Sequence, residues 1–372
     1  MPGRPPVSKP VSDLIRSDIA DMEPYTPVVP FEVLSRRLGR RPRDIVKLDA
    51  NENPWGPSPK VTEALANQEY YSIYPDPGQQ TLRDALAEYV GASAERIMVG
   101  HGSDELIDLI MRGFIEPGDA IVDCPPTFGM YRFDAQVNRG RVIKVWRKSD
   151  FSLDVGGIEG AIGQEPRAKL LFITSPNNPD GGVPSDEDLL RLLDLPVIVI
   201  VDEAYGEFLG RSMAGLVERY SNLIVLRTFS KWAGLAGLRV GYGIFPGWIL
   251  EQLWKIKQPY NVNVAGTVAA LASLQDVAYL HENVARIIAE RERLLRELGR
   301  LGFLKPYPSN ANFILCRVVG QDACELKARL EQRGVLIRYY DTPRLTDHIR
   351  ISVGRREQND ALLAALQDSA GQ

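Results

Sequence analysis

The chain has 372 residues, with 44 Lys and Arg against 48 Asp and Glu, so its formal net charge is −4 at pH 7. This length allows about two or three domains. The charge balance lacks the excess of basic residues that is typical of proteins binding nucleic acid through its phosphates. No apolar run approaches the roughly 20 residues needed to cross a bilayer, and the proline-rich start does not resemble a secretory signal. We therefore expect neither a nucleic acid nor a membrane as partner.

The cysteines and histidines argue against metal and disulfide chemistry. Cys124, Cys316 and Cys324 are odd in number and form no C-x-x-C pair, and the three histidines are widely separated. Such spacing favours neither a zinc site nor a disulfide framework. We expect no metal site, and a reducing, cytoplasmic location.

From residue 44 to residue 243 the sequence repeats a short apolar run, a polar or glycine-rich break and a stretch with helical spacing. This pattern is typical of βαβ units. The continuous apolar run at 197–201 favours a strand buried on both faces, which predicts a mostly parallel sheet covered by helices. The candidate strands of this α/β part are residues 96–99, 120–124, 170–174, 197–201, 223–227 and 239–244.

Beyond residue 258 the pattern changes to that of a smaller α+β domain. It predicts helices at 264–274, 281–301 and 324–333, and strands at 312–317 and 348–353. An earlier helix is expected at 31–38. The resulting domain division is an N-terminal arm at 1–23, a segment at 24–45 that packs on the small domain, a large domain at 46–260 and a small C-terminal domain at 261–372.

Polar and aromatic side chains follow the predicted parallel strands, at the point where each strand ends. In open α/β sheets ligands bind beyond the carboxyl ends of the strands. The segments that directly follow the strands, called strand exits below, therefore predict one functional site. The strand exits are residues 100–105, 125–129, 175–179, 202–205 and 228–231.

The first exit passes through two glycines into a helix near Ser103, where free N–H groups would make a phosphate cradle. Glycine turns of this kind also occur without any ligand, and Asp104 and Glu105 are ordinary first-turn acids. The glycines complete neither G-x-G-x-x-G nor a P-loop, so the common dinucleotide and nucleotide motifs are excluded.

The other exits add the remaining parts of a cofactor site. Lys231, in an apolar setting, would be an amine nucleophile with a lowered pKa. Arg239 stands among glycines that would let its guanidinium approach a phosphate. Asp202 ends a very apolar strand and needs a cationic partner, and Phe128 offers a ring for stacking. Pyridoxal phosphate requires this combination of groups.

With these residues in place, the sequence resembles the fold-type I pyridoxal-phosphate aminotransferases, and most closely their histidinol-phosphate aminotransferase branch. The resemblance covers about residues 25–356 and is strongest in residues 228–242, TFSKWAGLAGLRVGY. It implies a fold with a large and a small domain. Further matching stretches are residues 48–57, 74–76, 126–131, 177–179, 201–205 and 349–354.

The resemblance implies a role for each matching residue. Lys231 would form the Schiff base with the cofactor and move the proton, Asp202 would hold the ring nitrogen protonated, and Tyr205 would tune the site beside Asn178. Tyr74 would reach the cofactor phosphate of a neighbouring subunit, which implies a homodimer. The implied cofactor-binding residues are Tyr74, Gly102, Ser103, Asp104, Phe128, Asn178, Asp202, Tyr205, Thr228, Ser230, Lys231 and Arg239.

For substrates, the resemblance implies that Arg350 binds the anionic group shared by glutamate and histidinol phosphate. Arg338, Tyr25 and Asn178 would complete this part of the site. The expected reaction is transamination of histidinol phosphate with 2-oxoglutarate, in histidine biosynthesis. Alternatives are an aromatic amino-acid aminotransferase or an amino-acid-phosphate decarboxylase of the same family, and a cofactor-binding regulator without turnover. Asp180 and Trp232 depart from the residues common in this family.

Overall fold

The computed structural model describes residues 10–24 and 29–369. Within these residues the strands are β1 (Val46–Leu48), β2 (Ile97–Gly100), β3 (Ala120–Asp123), β4 (Arg141–Lys144), β5 (Ala168–Thr174), β6 (Ile198–Asp202), β7 (Leu223–Thr228), β8 (Gly241–Ile244), β9 (Leu304–Pro306), β10 (Phe313–Val318), β11 (Val335–Tyr339) and β12 (His348–Ser352).

The α-helices of the same residues connect and cover these strands. None of them is long and apolar enough to cross a bilayer. They are α1 (Ser17–Ala20), α2 (Phe31–Leu38), α3 (Pro59–Ala66), α4 (Gln80–Val90), α5 (Ser103–Phe114), α6 (Met130–Val137), α7 (Val155–Gln164), α8 (Asp186–Leu193), α9 (Gly206–Leu209), α10 (Gly247–Leu253), α11 (Val264–Leu274), α12 (Val277–Gly299), α13 (Ala323–Gln332) and α14 (Arg356–Ser369).

The large sheet has the strand order β2-β8-β7-β6-β5-β3-β4. The pairs from β7 to β4 are parallel, whereas β8 runs antiparallel to both of its neighbours. The predicted α/β fold with a mostly parallel sheet is confirmed. Because β8 is reversed, its first residue, Gly241, lies at the same edge as the carboxyl ends of the parallel strands.

Strand β6 shows why this sheet is buried on both faces. Val199 and Val201 enter one apolar cluster, while Ile200, which points the other way, enters a second. Alternating side chains of a strand face opposite sides of the sheet, so an unbroken apolar run is the sequence that a two-sided core requires.

The small sheet has the order β1-β11-β12-β10-β9. Leucines of α12, α13 and α14 pack on it, and Leu34 of α2 packs on Ile45 and on Leu336 of β11. Strand β1 pairs in parallel with β11, so residues 46–48, which the sequence analysis assigned to the large domain, belong to the small sheet. The domain division as a whole stays a prediction.

The structure differs from the predicted elements at several places. Strand β4 was missed because it lies at the edge of the sheet and carries exposed Arg141 and Lys144. The strand predicted at 239–244 begins only at Gly241, since Arg239 has a left-handed φ of 55°. The helix predicted at 281–301 begins earlier, as α12. The helices predicted at 31–38 and 264–274 match α2 and α11.

Gly241 packs directly on the start of α5, and this contact gives a test of the fold. A Cβ atom at this position would lie 2.3 Å from the Ser103 nitrogen and 2.5 Å from the Gly102 carbonyl carbon. Gly241→Ala should therefore lower the free energy of unfolding by about 1–3 kcal/mol, as overpacking does. Chemical denaturation checks the value.

Gly237→Ala is the matched control, because a Cβ atom there meets nothing within 4 Å. Its effect should stay within about 0.5 kcal/mol. Equal stability of the two variants would contradict the packing described here.

Candidate active site

A cleft of about 1550 Å³ lies beyond the carboxyl ends of the parallel strands, with walls from both sheets. It brings together the strand exits that the sequence analysis selected. The predicted residues that line it are Ser103, Asp104, Phe128, Asn178, Asp202, Tyr205, Thr228, Ser230, Lys231, Arg239, Arg338 and Arg350.

Of the predicted site residues that the structure describes, Tyr74 and Gly102 do not line this cleft. Tyr74 lies outside it with 78% of its surface exposed, and its ring stacks on Tyr260 with the centroids 4.6 Å apart. Tyr25 lies outside the described residues. Gly102 is the N-cap of α5 and touches the cleft through its neighbours Ser103 and Arg239.

Lys231 follows β7 and is half-buried, with Nζ 3.5 Å from the carbonyl oxygen of Ala50. The pKa of this amine is lowered to about 8, chiefly by desolvation and also by the positive charges of Arg350 and Arg239, while nearby carboxylates oppose the shift. A large share of the amine is therefore neutral near pH 8. Only the neutral amine can attack a carbonyl carbon.

Asp202 ends β6 and is 3% exposed. Its Oδ2 accepts a hydrogen bond from the Tyr131 hydroxyl at 2.6 Å, and its Oδ1 accepts one from the Ala204 N–H at 3.0 Å. Desolvation raises the pKa of this carboxyl to about 6, although the bond from Tyr131 lowers it. Sequence reasoning missed Tyr131. The sequence signal that could have identified Tyr131 is its position at the start of α6, three residues after Phe128.

The start of α5 and the loop after β7 form a cradle of hydrogen-bond donors. Gly102 has φ 77°, and a Cβ atom on it would lie 2.4 Å from Arg239 Nη2, so only glycine fits. Arg239 Nη2 donates to Asp104 Oδ2 at 2.8 Å, and the Thr228 hydroxyl donates to Ser230 Oγ at 2.9 Å. Helix N–H groups, hydroxyls and a guanidinium are the donors that suit a phosphate, so these residues fit the phosphate of pyridoxal phosphate.

Tyr205 and Asn178 offer polar groups between this cradle and the small sheet. Tyr205 is buried, and its hydroxyl accepts a hydrogen bond from Asn51 Nδ2 at 3.0 Å, while burial raises its pKa to about 12. Asn178 Oδ1 accepts from Arg350 Nη1 at 2.7 Å, which leaves the amide N–H groups as the donors that Asn178 offers to the cleft. Asn51 was also missed, because it is separated from Tyr205 by 154 positions.

Arg338 and Arg350 lie opposite each other on the paired strands β11 and β12. Arg350 Nη2 donates to the carbonyl oxygen of Asp49 at 2.8 Å. Both guanidinium groups lie over the ring of Tyr340, at 5.7 Å for Arg338 and 5.8 Å for Arg350. Two guanidinium groups held side by side can bind a carboxylate or a phosphate.

The two departures from the family sequence have structural explanations. Asp180 closes the loop that carries Asn178, because its carboxylate accepts from the Asn177 amide and from the Gly182 N–H at 2.8 Å. Trp232 is fully buried and stacks on Tyr89 with centroids 5.2 Å apart. Neither residue lines the cleft.

Comparison with known proteins places this site in a family. Residues 43–366 match the model for aminotransferase class I and II. The chain is 57% identical over 95% of its length to the chloroplastic histidinol-phosphate aminotransferase of Nicotiana plumbaginifolia, covering 86% of that protein. It is 54% identical to the histidinol-phosphate aminotransferase of Roseiflexus castenholzii, over 97% of this chain and 99% of that protein.

A solved structure agrees with these relatives. The histidinol-phosphate aminotransferase of Sinorhizobium meliloti, in complex with pyridoxal-5'-phosphate, superimposes with a TM-score of 0.88 at 30% identity, over 96% of this chain and 98% of that chain. The chain therefore belongs to the class I and II aminotransferase family and, within it, to the histidinol-phosphate aminotransferases.

Proposed function

We propose that this chain transfers the amino group of L-histidinol phosphate to 2-oxoglutarate, with pyridoxal phosphate as cofactor. The products are 3-(imidazol-4-yl)-2-oxopropyl phosphate and L-glutamate, and the reaction is a step of histidine biosynthesis. The observation that carries this proposal is the convergence in one cleft of the amine of Lys231, the buried carboxylate of Asp202 and the paired guanidinium groups of Arg338 and Arg350.

Pyridoxal phosphate, when bound, supplies an electron sink for the pair left on the substrate when its Cα loses a proton. Lys231, Asp202 and Arg239 are the residues that would hold it, through its aldehyde carbon, its ring nitrogen and its phosphate. Phe128 and Tyr205 would position the ring. The N–H groups and hydroxyls at Gly102, Ser103, Asp104, Thr228 and Ser230 would share the phosphate with Arg239.

Lys231 performs the proton transfer. Its amine, with a pKa lowered to about 8, would accept the Cα proton of the substrate. A base whose pKa lies near the working pH is the most effective at such a transfer. The same Nζ would then deliver that proton to the carbon of the cofactor's aldehyde group, within the same half-reaction.

Asp202 would favour this step, because its ionised carboxylate would hold the cofactor's ring nitrogen protonated. A carboxylate that is 3% exposed loses most of its solvation by water, so a cationic partner stabilises it strongly. Tyr131 and the Ala204 N–H fix the orientation of its two oxygens.

Arg350 and Arg338 bind the anionic end of each substrate. The phosphate of histidinol phosphate and the α-carboxylate of glutamate both offer two oxygens to a guanidinium. Because both substrates use the same cleft in turn, one anion site serves both halves of the reaction. Asn178, bonded to Arg350 Nη1, holds that guanidinium in place.

Substrate preference tests the proposed function. Steady-state rates with L-histidinol phosphate, L-phenylalanine and L-threonine phosphate as substrates should give the highest kcat/KM for histidinol phosphate. Arg338→Gln should lower that kcat/KM roughly 10- to 100-fold through the loss of a charged contact. Arg317→Gln is the matched control, because Arg317 is exposed and pairs with Asp347 outside the cleft.

Phenylalanine as the best substrate would instead identify an aromatic amino-acid aminotransferase. Release of carbon dioxide from threonine phosphate would identify a decarboxylase. Cofactor binding without turnover of any of the three would identify a regulator. Each of these results would contradict the proposal.

We also propose that the protein is a homodimer in which Tyr74 completes the cofactor site of the partner subunit. Tyr74 is remote from its own cleft, and it lies with Tyr70, Tyr71 and Ile73 in a patch whose side chains are each more than half exposed. Exposed apolar patches of this kind mark interaction surfaces. A two-fold interface would present each Tyr74 to the other chain.

Mixing two inactive variants tests the shared site. Tyr74→Ala and Lys231→Ala homodimers should each have very low activity, because the first lacks a phosphate contact and the second lacks the amine. After dissociation and reassembly together, hybrid dimers contain one intact site, so activity should recover to about one quarter of the wild-type value. Size-exclusion chromatography confirms that dimers reform.

If Tyr74 served its own chain, every site in the hybrid would be defective and activity would not recover. That result, or a monomer in solution, would contradict the shared site.

The cytoplasmic location stays a prediction. Cys124, Cys316 and Cys324 are all free thiols, which agrees with a reducing compartment. The plant relative described above carries a chloroplastic name.

A further inference from the structure

A row of buried hydroxyl groups leads from Asp202 to the loop that carries Asn178. The Tyr131 oxygen lies 2.6 Å from Asp202 Oδ2 and 2.8 Å from Thr174 Oγ1. Thr174 Oγ1 lies 3.0 Å from Thr127 Oγ1, which lies 2.8 Å from Asn177 Oδ1. Tyr131 and Thr174 are 0% and 2% exposed, so the row is largely shielded from water.

The far end of the row can only accept hydrogen bonds. Asn177 Nδ2 donates to the carbonyl oxygen of Pro126 at 3.0 Å and to the Asp180 carboxylate. These two acceptors fix the orientation of the amide, so its oxygen faces Thr127.

The number of hydrogen bonds that the row can form depends on the charge of Asp202. Four contacts join Asp202 to Asn177 through three hydroxyl groups, and each hydroxyl has one proton. When Asp202 is ionised, three protons serve four contacts, so one contact has no donor. When Asp202 carries a proton, four protons fill all four contacts, each group donating toward Asn177.

We propose that Tyr131, Thr174 and Thr127 are positioning residues, and that the Tyr131 hydroxyl turns its proton from Asp202 to Thr174 when Asp202 takes up a proton. Thr127 donates to Asn177 in both states, so the row connects the carboxylate to the loop that carries Asn178. This inference rests on the proposed function, because it assigns the row to the carboxylate that would hold the ring nitrogen. Tyr131 also contacts Phe128 edge-on, with centroids 5.6 Å apart, so one side chain touches both the carboxylate and the ring-stacking residue.

The titratable groups around Asp202 determine the sign of each expected effect. They are Tyr131 on α6, Asp104 on α5, Lys231 after β7, and the adjacent Glu203 and Tyr205. The pKa of Asp202 is raised to about 6: burial and the charge of Asp104 raise it, whereas Tyr131 and Lys231 lower it.

The ionised carboxylate is the form that binds a protonated ring nitrogen. Affinity for the cofactor should therefore fall as the pH drops through the pKa of Asp202. The midpoint of that fall reports the pKa.

Substitutions at Tyr131 and at Thr174 should shift the midpoint of the pH dependence in opposite directions. Tyr131→Phe removes the donor to the carboxylate, destabilises the ionised form and moves the midpoint upward. Thr174→Val keeps the bond from Tyr131 to ionised Asp202, but the protonated form then has a Tyr131 proton without an acceptor. An unpaired buried donor is costly, so Thr174→Val should move the midpoint downward.

The experiment measures the dissociation constant of pyridoxal phosphate by calorimetry between about pH 5 and pH 8, for the full-length chain freed of cofactor. Tyr131→Phe should raise the midpoint by about one pH unit, a tenfold change in proton affinity, and Thr174→Val should lower it. Tyr242→Phe is the matched control, because it removes a fully buried hydroxyl that does not line the cleft. Its midpoint should equal that of the unsubstituted chain.

Titration of free pyridoxal phosphate is common to all four proteins and cancels in the comparison. If Tyr131 and Thr174 only fill space, each variant should change the affinity by the same factor at every pH and leave the midpoint where it is. This result would overturn the proposal. Shifts of both variants in the same direction would overturn it too. Should Tyr131→Phe fail to fold, Thr174→Val decides alone, because only the proton count predicts a downward shift. Failure of the unsubstituted chain to bind pyridoxal phosphate would overturn both the proposed function and this inference.

Discussion

Burial of the Asp202 carboxylate at the end of the apolar strand β6 is the constraint on which the rest of the site depends. A carboxylate that is 3% exposed has lost its hydration, and two neutral donors, from Tyr131 and Ala204, replace only part of it. Such a group needs a cationic partner or a proton. The strand that buries Asp202 is therefore also the strand that prepares it to hold a protonated ring nitrogen.

The topology of the large sheet places the other parts around this carboxylate. The parallel strands β5, β6 and β7 deliver their exits to one edge, and the reversed strand β8 begins there with Gly241, just after Arg239. Close packing of Gly241 on Ser103 brings the guanidinium of Arg239 to the start of α5. The small sheet supplies Arg338 and Arg350 from the opposite wall. In the proposed function, three different parts of the chain would bind the ring, its phosphate and a substrate anion.

Much of this arrangement was predictable because the relevant signals are local in sequence. The apolar run of β6 predicts a strand buried on both faces, and polar residues at successive strand ends predict the position of the site. Lys231, Asp202 and Arg239 were predicted in this way and line the cleft, and the fold class was confirmed. The boundary at Arg239 was missed because a left-handed φ of 55° at a non-glycine residue leaves no mark in the hydrophobic pattern.

What the sequence could not predict is set by tertiary contacts. Asn51 reaches Tyr205 across 154 positions, and Tyr131 reaches Asp202 across 71. Strand β1 joins the small sheet by pairing with β11, nearly 300 residues away, and nothing in its own three residues selects that partner. Arg338 and Arg350 both reach the ring of Tyr340 only because two strands pair in one register. Contacts of this kind depend on the whole fold.

The most direct test of the central role of Asp202 is the turnover of Asp202→Asn with histidinol phosphate. The amide has the size of the carboxylate without its charge, so the phosphate cradle should still retain pyridoxal phosphate while kcat falls roughly 10²- to 10³-fold. Asp123→Asn is the control, because Asp123 is a carboxylate of 1% exposure that ends the nearby strand β3 outside the cleft. A kcat for Asp202→Asn close to that of the control would contradict the account.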